Sequence, residues 1–263
     1  MRMHILILVV LIFLDACISK NAINITPLEE IQATVTPATS TLPAYDLTGG
    51  VWVKDQPLLI NQDFDFAMGM GLPDIGPAIA AGQRKKGNEE VAQLLEAMPP
   101  LRLDVILQKH MKDSTFKNPL EQITLYGILF GQPNAHLRVI LETRNTQGED
   151  EKNLRLIYVT DWASVRGEDS WTSNNGRKII ESFEAGIRAL IAMMQVDLPR
   201  PQESEAVEYM VINGKAPQRG SGWILKKRDN RILIESKMIQ NTILSLPESA
   251  VEINGIEDEL PGR

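Results

Sequence analysis

Residues 122–160 read QITLYGILFGQPNAHLRVILETRNTQGEDEKNLRLIYVT. Three apolar runs stand in this stretch, Gln122–Gly131, Leu137–Thr143 and Leu154–Thr160, rich in Ile, Leu, Val and Tyr. GQPNA separates the first two and NTQGEDEKN the second two, both of turn composition, so the runs read as an antiparallel meander. A sheet with an apolar face needs a cover, and residues 177–194 supply one. There Ile179, Ile180, Phe183, Ile187, Leu190, Ile191 and Met194 fall at helical spacing on one side. Arg177–Glu181 and Glu184–Arg188 form i,i+4 pairs on the other, and Asn174 or Asn175 is placed to cap the N-terminus.

Working upstream, Asn88-Glu89-Glu90 opens a second helix with Val91, Leu94, Leu95 and Met98 on one face, stopped by Pro99-Pro100. Leu58–Phe66 reads as a strand, preceded by a shorter one at Val51–Lys54. Arg102–Lys112 is ambiguous, because Leu101, Leu103, Val105 and Leu107 alternate like a strand while the ending is helix-like. Downstream, Leu198-Pro199-Arg200-Pro201 begins a linker. Beyond it, Ala206–Asn213, Trp223–Lys227, Arg231–Glu235, Asn241–Leu246 and Val251–Ile253 read as five short strands. A tight turn falls at Arg228-Asp229-Asn230 and a helical turn at Pro247-Glu248-Ser249. The expected class is α+β: a mainly antiparallel sheet covered by helices over residues 46–198, a linker at 199–205, and a small all-β SH3-like barrel module over 206–256, with an acidic tail at 257–263.

The chain opens differently. Ile5 to Leu14 are ten consecutive apolar residues behind Arg2. Ten is too few to span a bilayer, which takes about 20, but suits the hydrophobic region of an export signal. Leu14-Asp15-Ala16-Cys17 follows, and it resembles the bacterial lipobox; Asp15 stands where that pattern has a small residue. The resemblance covers only these first residues. It implies a signal peptide over 1–16, removed in front of Cys17, with Cys17 as the lipid attachment site. Several acyl chains then anchor the protein stably, where one would not. Cys17 is the single cysteine, so no internal disulfide can form, and acylation disposes of a stray thiol. By the sorting rule of Gram-negative envelopes, Ile18 points to the outer membrane, facing the periplasm. Residues 17–45, rich in Thr, Ala, Ser and Pro, read as an extended tether.

A formal net charge of −7 over 263 residues is an ordinary soluble surface and disfavours nucleic acid as a partner. Two local features stand out. Asp161–Gly176 places Trp162 and Trp171 with Arg166 in a polar connection, the composition of an interface hot spot; the alternative is that both indoles fold down over the sheet edge. Residues 214–237 hold Lys215, Arg219, Lys226, Lys227, Arg228, Arg231 and Lys237 against Asp229 and Glu235, with Trp223 among them. That is either a basic face for an anionic envelope polymer or lipid head groups, or a solvated hairpin partly neutralised by the acidic residues after Glu248.

Signals for chemistry are sparse. Gly69-Met70-Gly71 has Asp74 where a dinucleotide loop needs its third glycine. Glu149-Asp150-Glu151 lacks the order of a calcium loop. Arg219-Gly220-Ser221-Gly222 is not a nucleophile elbow, and His110 and His136 are a poor zinc pair. No cofactor or metal is implied. The expectation is a non-catalytic envelope lipoprotein, a scaffold or a component of an assembly or transport machinery, with membrane lipid and envelope proteins as partners. An envelope-polymer binder through residues 215–237 is the alternative, and a hydrolase ranks last.

Overall fold

Strand residues predominate. The computed structural model describes residues 32–34, 50–61, 76–111, 122–131, 133–145, 152–195, 206–211 and 218–254. In chain order these form β1 (Gln32–Thr34), β2 (Val51–Trp52), β3 (Leu58–Asn61), α1 (Gly76–Leu94), α2 (Leu103–Met111), β4 (Gln122–Phe130), β5 (Asn134–Asn145), β6 (Lys152–Val159) and β7 (Ala163–Ser164). There follow α3 (Arg177–Met194), β8 (Ala206–Val211), β9 (Gln218–Arg228), β10 (Arg231–Ser236), β11 (Thr242–Pro247) and β12 (Val251–Asn254). Short 3-10 turns at Ser173–Gly176 and Glu248–Ala250 precede α3 and β12.

The meander forms as the sequence reads. β4 and β5 pair antiparallel from Gln122↔Arg144 to Phe130↔His136, and β5 and β6 from Arg138↔Val159 to Asn145↔Lys152. The expected class does not hold beyond that. There is one mixed sheet, ordered β12-β8-β9-β10-β11-β6-β5-β4-β3-β2, with β1 beside β4 and β7 beside β5. The C-terminal strands are therefore no separate SH3-like barrel, and the sheet is not a mainly antiparallel layer under helices. The junction decides it: β11 runs parallel to β6, Thr242↔Arg155 to Ser245↔Tyr158. The outer edge of β6 has unpaired backbone groups once β5 is in place, and β11 supplies their partners. β3 and β1 are also parallel to β4, at Leu58↔Gly127 and Gln32↔Gln122. Gln32–Thr34, read as tether, thus fills the half of β4's edge that β3 leaves open.

Alternation splits the strands between two cores. Toward one side point Ile123, Leu125 and Leu129 of β4, Leu137, Val139 and Leu141 of β5, and Leu156 of β6. They meet Val91 and Leu95 of the α1 region, Leu103 and Leu107 of α2, and Ile179, Phe183, Ile187 and Leu190 of α3. Toward the other point Tyr126, Ile128, Ile140, Ile157 and Val159. Their companions are Tyr209, Ile232, Ile234 and Leu246, strand residues all. One side is thus closed by helices and the other by the curling sheet itself.

The ambiguous segment 102–112 is helical because Leu103, Leu107 and Met111, four apart, are the buried set, while Val105 stays 46% exposed. In α1 the buried stripe is Asn88, Val91, Ala92 and Leu95, and Leu94, expected inside, lies off it at 48% exposure. Gln56 clasps the link between α1 and α2: its Oε1 accepts from Leu101 N at 2.9 Å and its Nε2 donates to Met98 O at 3.3 Å. At α3 the cap is not an asparagine. Asn174 and Asn175 have φ of 49° and 54°, and Gly176, φ 72°, is the N-cap without a side-chain bond. Three successive left-handed residues reverse the chain there, which asparagine and glycine tolerate best. Arg177 meets Glu181 at 2.7 Å as expected, but Glu184 turns to Lys109 of α2, 2.6 Å away.

Candidate functional site

Trp171 is a structural pin. It is 1% exposed within the helix-side core, and its Nε1 donates to Ala135 O at 2.8 Å. Thr172 Oγ1 donates to Val165 O at 2.8 Å, holding the loop shut around it. Trp162 is half-buried, edge-on to His136 with ring centroids 4.1 Å apart, and its buried Nε1 has no partner among the described residues. Arg166 is exposed and pairs with Glu90 of α1 at 3.0 Å. The three are not gathered into one patch, and both indoles fold down, Trp171 fully.

The basic hairpin is likewise divided by its register. Lys226 lies opposite Leu233, which packs with the helix-side core, and Lys227 opposite Ile232, which packs on the other side. Directly opposed strand residues share a face, so the two lysines leave opposite faces of the sheet. Arg228 is exposed and 2.9 Å from Asp229. Trp223, opposite Glu235, is half-buried; Lys237 Nζ stands 5.9 Å from its ring centroid, and its Nε1 is buried without a partner among the described residues.

Arg231 serves the fold. Its Nε donates to Ser245 Oγ at 2.8 Å and its Nη2 to both Ser245 O and Val159 O at 2.6 Å, while the guanidinium lies 3.9 Å over the Tyr158 ring. One side chain thereby bolts β10 to β11 and to β6. Burial pushes its pKa down, against the pull of Tyr158 and Asp161, and an arginine stays charged under such a shift. Cys17, Lys215, Gly69–Gly71, Glu149–Glu151, the linker at 199–205 and the acidic tail lie outside the described residues.

What the structure does gather is a cavity of about 190 Å³ on the strand-closed side. His136 and Arg138 of β5, Ile157 and Val159 of β6, and Leu244 and Leu246 of β11 form one wall. Tyr209 of β8, Arg219 and Gly220 of β9, and Ser236, Met238 and Ile239 form the other. In a flat sheet β9 and β5 would stand four steps apart, roughly 19 Å at about 4.8 Å per strand. For both to line one cavity the sheet must curl, and β9 carries the bulge that helps: the register slips between Leu233 and Ile234.

His136 and Arg138 are the polar centre of the first wall. His136 is fully buried, and its Nε2 accepts from Arg138 Nε at 2.7 Å. Nε2 being the acceptor, the neutral ring carries its proton on Nδ1, which is buried without a partner among the described residues. Burial, and then the Arg138 charge, hold the histidine well below its ordinary pKa, so it is neutral at pH 7. Phe130 stacks 4.5 Å from the Arg138 guanidinium. Arg219 is exposed at the rim and has no ion-pair or hydrogen-bond partner among the described residues. The sequence carried a signal for this site: His136 and Arg138 occupy the register of Ile140, so polar side chains alternate into an apolar face. That signal says nothing of Tyr209, Arg219 and Ser236, which come from strands 70 or more residues away.

Among the described residues no group of His, Cys, Asp and Glu is placed to hold a metal ion, and no helix is long and apolar enough to cross a membrane. Comparison with protein-family models, with curated proteins and with solved structures returned no match.

Proposed function

We propose that the protein is a membrane-anchored envelope lipoprotein, a non-catalytic scaffold or a component of an envelope assembly or transport machinery. The observation that carries this reading is Leu14-Asp15-Ala16-Cys17 behind ten apolar residues, followed by a Thr/Pro/Ala-rich stretch and then the folded body. Acylation at Cys17 holds the chain to the membrane, and Ile18 directs it to the outer membrane with the body in the periplasm. The body that follows is held by internal hydrogen bonds of Trp171, Gln56 and Arg231. The protein's partners are then membrane lipid and an envelope protein.

Metabolic labelling with a palmitate analogue, followed by membrane fractionation, tests the anchor. Wild-type protein takes up label and pellets with membranes, and Cys17→Ala loses the label and leaves the pellet. An unlabelled wild type recovered in the soluble fraction overturns the reading.

A further inference from the structure

The cavity is neither wholly apolar nor built for water alone. Its lining is apolar at Ile157, Val159, Leu244, Leu246, Met238 and Ile239 and polar at His136, Arg138, Tyr209, Arg219 and Ser236. No carboxylate lines it. The Arg219 guanidinium has no counter-ion among the described residues, whereas Arg138 is engaged by His136 and the Phe130 ring. A charge at such a rim attracts an anion, and the apolar bowl rewards a hydrocarbon tail. His136 adds a buried N–H donor that lacks an acceptor, a group that costs free energy until an oxygen meets it.

From these features we propose that the cavity binds a single-chain amphiphilic anion: a short alkyl chain between the sheet's two halves and a carboxylate or phosphate at Arg219. Size limits the chain. A cavity of about 150 Å³ holds benzene, so one of about 190 Å³ accommodates roughly eight carbons. Entry is past Met238, which is 71% exposed, and Ile239, on the connection from β10 to β11. That connection is tied down by Ile239 N donating to Ser236 Oγ at 3.1 Å. The site does not depend on the anchor, and its test is separable from that of the anchor.

The experiment uses the full chain in phosphatidylcholine nanodiscs, with the Met238 methyl carbon-13 labelled, titrated with octanoate, octyl phosphate and octanol. Octanoate should shift the Met238 resonance saturably at one site, and octanol should bind at least ten-fold more weakly. Arg219→Gln, at an exposed position that leaves the fold intact, should weaken octanoate about ten-fold and leave octanol unchanged. Leu244→Phe should fill the bowl and abolish both. Tighter binding of octyl phosphate than of octanoate assigns the head group to a phosphate source, and the reverse to a free carboxylate. Absence of a saturable shift with either anion, octanol binding as tightly as octanoate, or an unchanged octanoate affinity in Arg219→Gln each overturns the proposal. Cys17→Ala must bind octanoate as the wild type does, so failure of the anchor and failure of the cavity give different results.

Discussion

His136 is the residue at which burial, charge and the cavity meet. Its neutral form is selected because water is excluded and Arg138 donates to Nε2 at 2.7 Å. The folded pKa lies well below the unfolded value of about 6.5, so below that pH the unfolded chain binds a proton that the folded chain does not. The stability that comes from a neutral His136 is complete above about pH 6.5 and is lost as the pH falls. The slope reaches at most about 1.4 kcal/mol per pH unit. His110 adds in the same direction, its pKa lowered by burial and by Lys109 and Arg188 against Glu184. The carboxylates with lowered pKa, Asp104 and Glu184, act only nearer their own range, below this window. Urea unfolding at pH 7.5, 6.5 and 5.5 should show stability falling by about 1–2 kcal/mol across the acid step. In His136→Gln most of that slope should disappear, and a slope that survives unchanged refutes the assignment. The sequence pattern begins the strand at Leu137 and leaves His136 beside the turn, because its neighbours Phe130 and Arg138 enclose it only once the strands pair.

At the scale of elements, α3 and the strands it covers were legible because one periodicity ran unbroken. From Ile179 to Leu190 the apolar residues return every three or four positions, and from Leu137 to Leu141 every second one. The hairpin turn was legible too: Asp229 and Asn230 both have positive φ, 53° and 59°, which a two-residue turn requires. Contact across elements was not. Gly127 reads as a weak point in a strand, yet it is where the Phe183 ring of α3 lies on β4, so that a Cβ there would collide with the ring. The glycine is a seat for the phenylalanine. Gly127→Val should destabilise by about 1–3 kcal/mol by overpacking, although valine favours strands. Combining it with Phe183→Leu, which vacates the seat, should cost less than the two separate losses summed, with a coupling of about 0.5–3 kcal/mol. Strict additivity in thermal or urea unfolding would mean that the ring and the glycine do not share that space. The asparagine cap failed for a related reason: composition identifies residues that tolerate a helix start, but the left-handed geometry at 174–176 depends on what the loop around Trp171 needs.

For the whole molecule, the parallel joint between β11 and β6 matters most. Each strand from Ala206 onward was foreseeable as a strand, but a strand pattern does not name its partner, and a set of short strands closes on itself or joins a neighbour with equal ease. Backbone groups on β6 and the apolar residues Ile140, Ile157 and Val159 were open, and Ile232, Ile234 and Leu246 cover them. Arg231 then fastens the joint from β10 to Val159 O and Ser245 O. Such a joint makes the two halves one thermodynamic unit, since removing β8–β12 would expose the second core and the edge of β6 together. Ile234→Ala, at a fully buried site of that core, should cost about 2–5 kcal/mol. The loss should appear equally in both halves. Trp171 reports from the helix-side core and Trp223 from β9, so the full-length protein labelled with fluorotryptophan and titrated with urea should give the same midpoint at both resonances. Ile234→Ala should then move both midpoints together. If Trp223 melts first and Ile234→Ala shifts it alone, the sheet is continuous in hydrogen bonding but not in stability, and β11 is a detachable strand on a body that stands without it.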